Sequence, residues 1–158
     1  MLLTRNVKID AEDIESWGGQ IVTSDTVEIY GAEVIQRKGS TIIDSVEIFN
    51  CSQIDTFKAA LRFESAASLY SSITNSAIHN GYAWGLRVKA SANIHIKNNI
   101  FFNFRPIGVG VVASRNITFD NNIVGGIIDR TTLETGDKIV DLAGAVSICA
   151  YEEPDTAC

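Results

Sequence analysis

The chain contains no run of about eighteen apolar residues, so no segment of it has the length and polarity of a membrane-crossing helix. Basic residues are also few: 13 lysines and arginines stand against 19 aspartates and glutamates, a formal net charge of -6. That balance argues against a nucleic-acid partner or insertion at an anionic membrane, because such binding draws on phosphate neutralisation and counterion release. The opening residues, Met1-Leu2-Leu3-Thr4-Arg5-Asn6, lack the basic segment and apolar stretch of an export signal. Export would therefore rely on a sequence preceding this one. Histidines number two, His79 and His95, and no Cys-x-x-Cys pair occurs, so zinc-binding spacings are missing. Three cysteines are present, an odd number, so one is free or paired outside the chain. Cys51 reads as a small buried thiol. Cys149 and Cys158 are close enough in sequence to form a disulfide, or to remain thiols.

What the chain does have is a repeat. Of its 158 residues, 46% are apolar and 20% charged, the balance of a folded domain with its own core. Shifted by 23 positions the chain matches itself: Ile73 falls on Ile96, Asn75 on Asn98, Asn80 on Asn103, Gly85 on Gly108 and Val88 on Val111. The register runs into a third copy, with Asn93 on Asn116, Ile94 on Ile117, Asn98 on Asn121 and Asn99 on Asn122. Earlier copies follow with slips. Leu61-Arg62-Phe63 falls on Leu86-Arg87-Val88 at an offset of 25, and Val27-Glu28-Ile29-Tyr30 on Val46-Glu47-Ile48-Phe49 at an offset of 19. Slips of this kind belong in turns, where chain length is cheap to change.

Each copy alternates apolar and polar residues with a period of two, as in Asn93-Ile94-His95-Ile96 and Gly85-Leu86-Arg87-Val88. Short strands joined by Asn, Gly and Ser turns, in a copy of about two dozen residues, make one coil of a stack. The expected fold is all-β: a right-handed, single-stranded parallel β-helix of about five to six coils. It forms one domain over 1–158, with a lead-in over 1–17, regular coils over 18–127, an insertion over 128–144 and a further coil or end cap over 145–158. Gly108 to Ala145 is 37 positions, one repeat of 23 plus an insertion of 14, in which Thr132 to Leu142 is expected to be partly helical. Expected inward columns are Ile48, Ile73, Ile96 and Phe119, and Phe63, Val88 and Val111. Asn75, Asn98 and Asn121 are expected to form an asparagine ladder at a turn.

Several motifs resemble a known family. His79-Asn80-Gly81, Trp84-Gly85-Leu86-Arg87-Val88, Asn103-Phe104-Arg105-Pro106-Ile107-Gly108-Val109-Gly110 and Asn121-Asn122-Ile123-Val124-Gly125-Gly126-Ile127 resemble the parallel β-helix region of fibrocystin (polyductin) and fibrocystin-like proteins. Leu2-Leu3-Thr4-Arg5-Asn6 is similar to the motif that follows the G8 domain there and in related hyaluronan-depolymerising cell-surface proteins. The resemblance implies a module of a larger extracellular or ciliary-membrane protein. Where the depolymerising branch carries closely spaced histidines, this chain reads Lys58-Ala59-Ala60-Leu61-Arg62-Phe63, which sets it nearer the fibrocystin branch.

Parallel β-helices often bind or cleave polysaccharides along one long face. The candidate face carries Arg62 and Arg87, with Tyr82, Trp84 and Arg105 from the loops that precede the strands. Aromatic rings suit sugar faces and guanidinium forks suit uronate carboxylates. The alternative is that Trp84 and Phe104 fold over the coil edge and the arginines are solvated. Gly110 takes the third place in the arginine column, and Arg105 is placed to supply the missing charge. Hydrolysis would need two carboxyl groups flanking one bond. Asp55, Glu64, Asp120 and Asp129 are the acids on or near the coils. Asp120 is expected to face elsewhere, and Glu64 aligns with Lys89 as a cross-coil ion pair. A calcium-dependent lyase would need an acid cluster that is not visible. His79 is expected at a strand edge and His95 on the surface. The expectation is therefore a non-catalytic extracellular module without metal or cofactor. Its partners would be an acidic polysaccharide or neighbouring extracellular domains, with end-to-end self-association through its exposed strand edges. The alternative is a fragment of a polysaccharide lyase or hydrolase. Asn50-Cys51-Ser52 and Asn116-Ile117-Thr118 match the glycosylation pattern, and only Asn116 stands clear of an inward column.

Overall fold

The computed structural model describes residues 7–11, 18–53, 58–128 and 144–150. They fold into strands throughout. The first coil consists of β1 (Val7–Asp10) and β2 (Ile21–Ser24), then a hairpin of β3 (Thr26–Tyr30) and β4 (Glu33–Arg37), then β5 (Ile42–Asp44). The second is β6 (Val46–Cys51), β7 (Leu61–Glu64) and β8 (Ser71–Thr74). The third is β9 (Ala77–Gly81), β10 (Leu86–Lys89) and β11 (Ala92–Lys97). The fourth is β12 (Ile100–Phe102), β13 (Ile107–Val112) and β14 (Arg115–Asp120), and a fifth begins with β15 (Ile123–Gly125) and β16 (Gly144–Cys149).

The strands stack into three sheets: β1-β6-β9-β12-β15, β2-β7-β10-β13-β16 and β5-β8-β11-β14. Every pairing within them is parallel. The chain visits the sheets in a fixed cyclic order, which is a parallel β-helix. The expected return at offset 37 is present: Val109 pairs with Val146 and Val111 with Ile148. Residues 129–143, with most of the expected insertion, lie outside the described residues.

Alternation decides which residues form the core. Ile73, Ile96, Ile78, Phe101, Val88 and Leu86 are all fully buried, and each such side chain contributes about 1.5–3 kcal/mol. The column Phe63, Val88, Val111 stands as expected. The other column needs correction. Ile43, not Ile48, pairs with Ile73, and the column continues through Ile96 to Phe119. Ile48 belongs to the first sheet, between Ile9 and Ile78. The second coil is 30 residues from Ile48 to Ile78, against 23 from Ile78 to Phe101, so a fixed offset misassigns its strands.

Two further expectations fail for one reason. Val7–Asp10, assigned to the lead-in, is a strand in the stack, and it is the true copy of Val46–Phe49. Val27–Tyr30 instead pairs antiparallel with residues 33–36. A period of two looks the same in a coil and in a hairpin. The distinguishing signal was Gly31 (φ 62) in a two-residue loop.

The corners explain the asparagines. Asn75, Asn98 and Asn121 have φ of 52, 59 and 50, left-handed values that Asn tolerates better than most residues. Asn98 Nδ2 donates to Asn75 Oδ1 at 3.2 Å, and Asn121 Nδ2 to Asn98 Oδ1 at 2.7 Å. Asn103 and Asn80, and Asn116 and Asn93, make the same contact at other corners. Asn99 turns inward and is satisfied: its Nδ2 donates to the Ile73 carbonyl and its Oδ1 accepts from the Ser76 N–H.

Candidate functional site

The candidate face is the outer surface of the second sheet. Parallel register puts Arg62 beside Arg87 and Arg87 beside Gly110, so the arginine column exists. Alternation puts Glu64 on the same face as Arg62. Arg62 donates from Nε at 3.1 Å and from Nη2 at 2.8 Å to Glu64 Oε1, and Arg87 Nη1 donates to the same oxygen at 3.2 Å. Arg62 Nη1 also donates to Gln20 Oε1 at 3.3 Å. One carboxylate thus sits between two guanidinium groups. Glu64 and Lys89 are register partners as expected, but the ion pairs that Glu64 makes with Arg62 and Arg87 set the character of the face.

Burial separates the five proposed binding residues. Arg87 is only 6% exposed and Trp84 only 4%. The Arg87 guanidinium carbon lies 5.7 Å from the centre of the Trp84 ring, a cation–π contact. Trp84 packs with Ala59, Ala83 and Ile107. It also fills the place of the absent third arginine, because a Cβ on Gly110 would collide with its ring. Arg105 was expected to supply that charge. It is exposed, and Trp84 occupies the space instead. Arg62 and Tyr82 are half-buried. Phe104, in the same loop as Arg105, is a core residue whose ring lies against Gly81 and Gly85. Of the two readings of this face, the rings do fold over the coil as the second holds, but Arg87 is buried against Trp84 and not solvated, with Arg105 at the margin. The shared carboxylate was not legible beforehand; Arg62 and Glu64, two apart on one strand, were the available signal.

The remaining candidates lie elsewhere. Asp120 is on the third sheet, 3.0 Å from Lys97. Asp55 and Asp129 fall outside the described residues. His79 pairs in register with Phe102, stacks on Phe49 at 5.6 Å and meets Glu47 Oε1 at 3.1 Å. Lys8, then His79, hold the Glu47 carboxyl below its ordinary value. His95 is on the surface against the Tyr70 ring. Among the described residues no group of three His, Cys, Asp or Glu side chains is placed to hold a metal ion. Cys51 is a free thiol whose pKa burial pushes up to about 12, the inert form. Cys149 is disulfide-bonded, and its expected partner Cys158 lies outside the described residues. Asn116 is exposed, with its Nδ2 donating to Asn93 Oδ1 at 2.7 Å.

A family model described as a right handed beta helix region matches residues 5–128. No curated protein and no solved structure matched the chain. The match reaches the level of the β-helix and carries no relationship to fibrocystin.

Proposed function

As the chain belongs to the right handed beta helix family, we propose that it serves as a non-catalytic structural module of an extracellular protein. The observation that carries this reading is the closed charge set on its candidate face. Glu64 accepts hydrogen bonds from both Arg62 and Arg87, and Trp84 covers the place where a third arginine would stand. A face whose guanidinium groups already share a carboxylate and whose aromatic ring is buried offers little to a ligand. The disulfide at Cys149 suits an oxidising compartment, in keeping with the resemblance to fibrocystin-like ectodomains. Neighbouring extracellular domains are the partners this reading favours. Binding of an acidic polysaccharide rests on Arg105 and the exposed part of Arg62, so it would be weak and salt-sensitive.

Incubating the pure protein with hyaluronan or pectate tests the non-catalytic reading. Polymer length should stay unchanged over long incubation. Shortening that disappears in Glu64→Gln would establish the alternative, a lyase or hydrolase built around the arginine-flanked carboxylate.

A further inference from the structure

The hairpin of β3 and β4 is not accounted for by stacking. Its faces are inverted relative to an ordinary surface ribbon. Val27, Ile29 and Val34 share one face and are exposed to 61%, 71% and 61%, whereas Glu28 and Ile35 lie opposite one another on the less exposed face. A two-stranded ribbon is marginally stable in water. Among the described residues it has no third strand beside it. Gly31, with positive φ at the first loop position, fits a type II′ turn, which makes Tyr30 and Glu33 the hydrogen-bonded closing pair. Hydrogen-bonded pairs alternate along an antiparallel ladder, so Val34 and Gln36 turn their N–H and C=O groups away from β3.

The free edge of β4 reads Glu33-Val34-Ile35-Gln36-Arg37, and it is complementary to itself. Laid antiparallel on a second copy about Ile35, it brings Glu33 opposite Arg37 twice and Val34 opposite Gln36 twice. The outward N–H and C=O groups of Val34 and Gln36 then meet as hydrogen-bonded pairs. Glu33 and Arg37 fall in the closer, non-hydrogen-bonded pairs, where opposite charges stabilise and like charges repel. The other edge lacks this property, since the same operation about Glu28 sets Glu28 against Glu28. Arg37 already reaches Glu28 at 3.3 Å, with both side chains substantially exposed, a pair weak enough to be exchanged or shared.

We propose that β4 is a homodimerisation edge: two copies join β4 to β4, antiparallel, into a four-stranded sheet closed by two reciprocal Glu33–Arg37 ion pairs. A twofold contact of this kind is isologous, so assembly stops at two copies. The seam draws on five residues from each copy, fewer than the ~20–30 a side of a standard interface, so dissociation is expected on the order of 100 µM.

Sedimentation equilibrium of the whole chain, from about 10 to 500 µM at low salt, reads the mass against a 17.2 kDa monomer. Wild type should rise toward the dimer. Glu33→Arg and Arg37→Glu should each weaken association by about tenfold or more, since each places like charges across both seams. An equimolar mixture of the two variants should dimerise again, because the heterodimer restores both pairs. Circular dichroism confirms that both variants fold. Three outcomes would each overturn the proposal: a monomeric wild type at the highest concentration, single variants that associate like wild type (the mark of end-to-end stacking), or a mixture that stays monomeric.

Discussion

The two ends of the stack are finished differently. At the first coil, inward Thr23 and Ile43 are buried, and all three corners carry an aspartate that accepts hydrogen bonds. Asp10 Oδ1 accepts from Asn50 Nδ2 at 2.8 Å. Asp25 accepts from the N–H groups of Gly39, Ala67 and Ser68 at 2.8, 3.1 and 3.0 Å. Asp44 Oδ1 accepts from Thr74 Oγ1 at 2.6 Å and from Asn75 Nδ2 at 2.7 Å. At the other end the inward positions are open: Ile148 is 76% exposed, and a groove of about 280 Å³ is lined by Val109, Val111, Ile117, Phe119, Val146 and Ile148. The aspartates at Asp10 and Asp44 follow from the polarity of an amide ladder. Each corner asparagine donates toward the N-terminal side, so that side ends well on a carboxylate, which only accepts. Among the described residues the last member of that ladder is Asn121, whose Nδ2 donates to Asn98 Oδ1.

The largest effect should come from the middle of the stack. Ile96 is fully buried between Ile73 and Phe119. Ile96→Asp buries an unpaired carboxylate at a cost of several kcal/mol and should abolish folding. A melting temperature within a degree or two of wild type would refute the inward assignment. Next comes Arg87→Ala. It removes a buried guanidinium from Glu64 and Trp84 and should cost about 1–3 kcal/mol in chemical denaturation. Arg105→Ala, at the exposed margin, should stay within about 0.5 kcal/mol. Equal losses at both sites would mean that the candidate face is open after all.

The corners give the next two tests. Asn98 gives and receives an amide hydrogen bond at φ 59, so Asn98→Ala should cost about 2 kcal/mol, and Asn121→Ala, with one such bond, about half as much. Acid should then act on one end first. The Ser68 hydroxyl, followed by the Gly39 amide, holds the Asp25 carboxyl below its ordinary 3.8; Thr74, followed by Asn75, does so for Asp44. Carboxyls lowered in the folded state stabilise it above the unfolded value, and that stability is lost as pH falls through the folded values. Below about pH 4 the strands Ile21–Ser24 and Ile42–Asp44 should exchange amide protons sooner than Gly144–Cys149. Asp25→Asn/Asp44→Asn should remove the difference; protection that falls equally at both ends would show that the aspartates do not close the first coil.

Sequence made the regular coils legible because every copy writes the same alternation and the same asparagine corners. The Phe63–Val88–Val111 column, the Asn75–Asn98–Asn121 ladder and the return at Val146 all came from that register. What it hid lay where one pattern serves two structures. Val27–Tyr30 alternates as a coil strand does, and only Gly31 betrays the hairpin. Ile43 and Ile48 both fit an inward position, and the length of the second coil decides between them. On the candidate face, the arginine column could be read, but not the carboxylate its two members share. Register puts Glu64 beside Lys89, yet side-chain reach brings it to Arg62 and Arg87. Gly110 looked like a missing arginine, and was room for the Trp84 ring.

The smallest expected effect tests the open end directly. Ile148 occupies an inward position in register with Val111, yet three-quarters of it faces solvent. The transfer free energy of a side chain is recovered in proportion to the area it removes from water. Ile148→Ser should therefore change stability by about 0.5 kcal/mol, within reach of careful denaturant titration. Val88→Ser, two coils inward on the same column, should cost several times more, because that side chain is fully buried and leaves both a cavity and an added hydroxyl. A loss at Ile148 that matches Val88 would mean the C-terminal groove is closed in solution, and the two ends would then differ in chemistry alone and not in exposure.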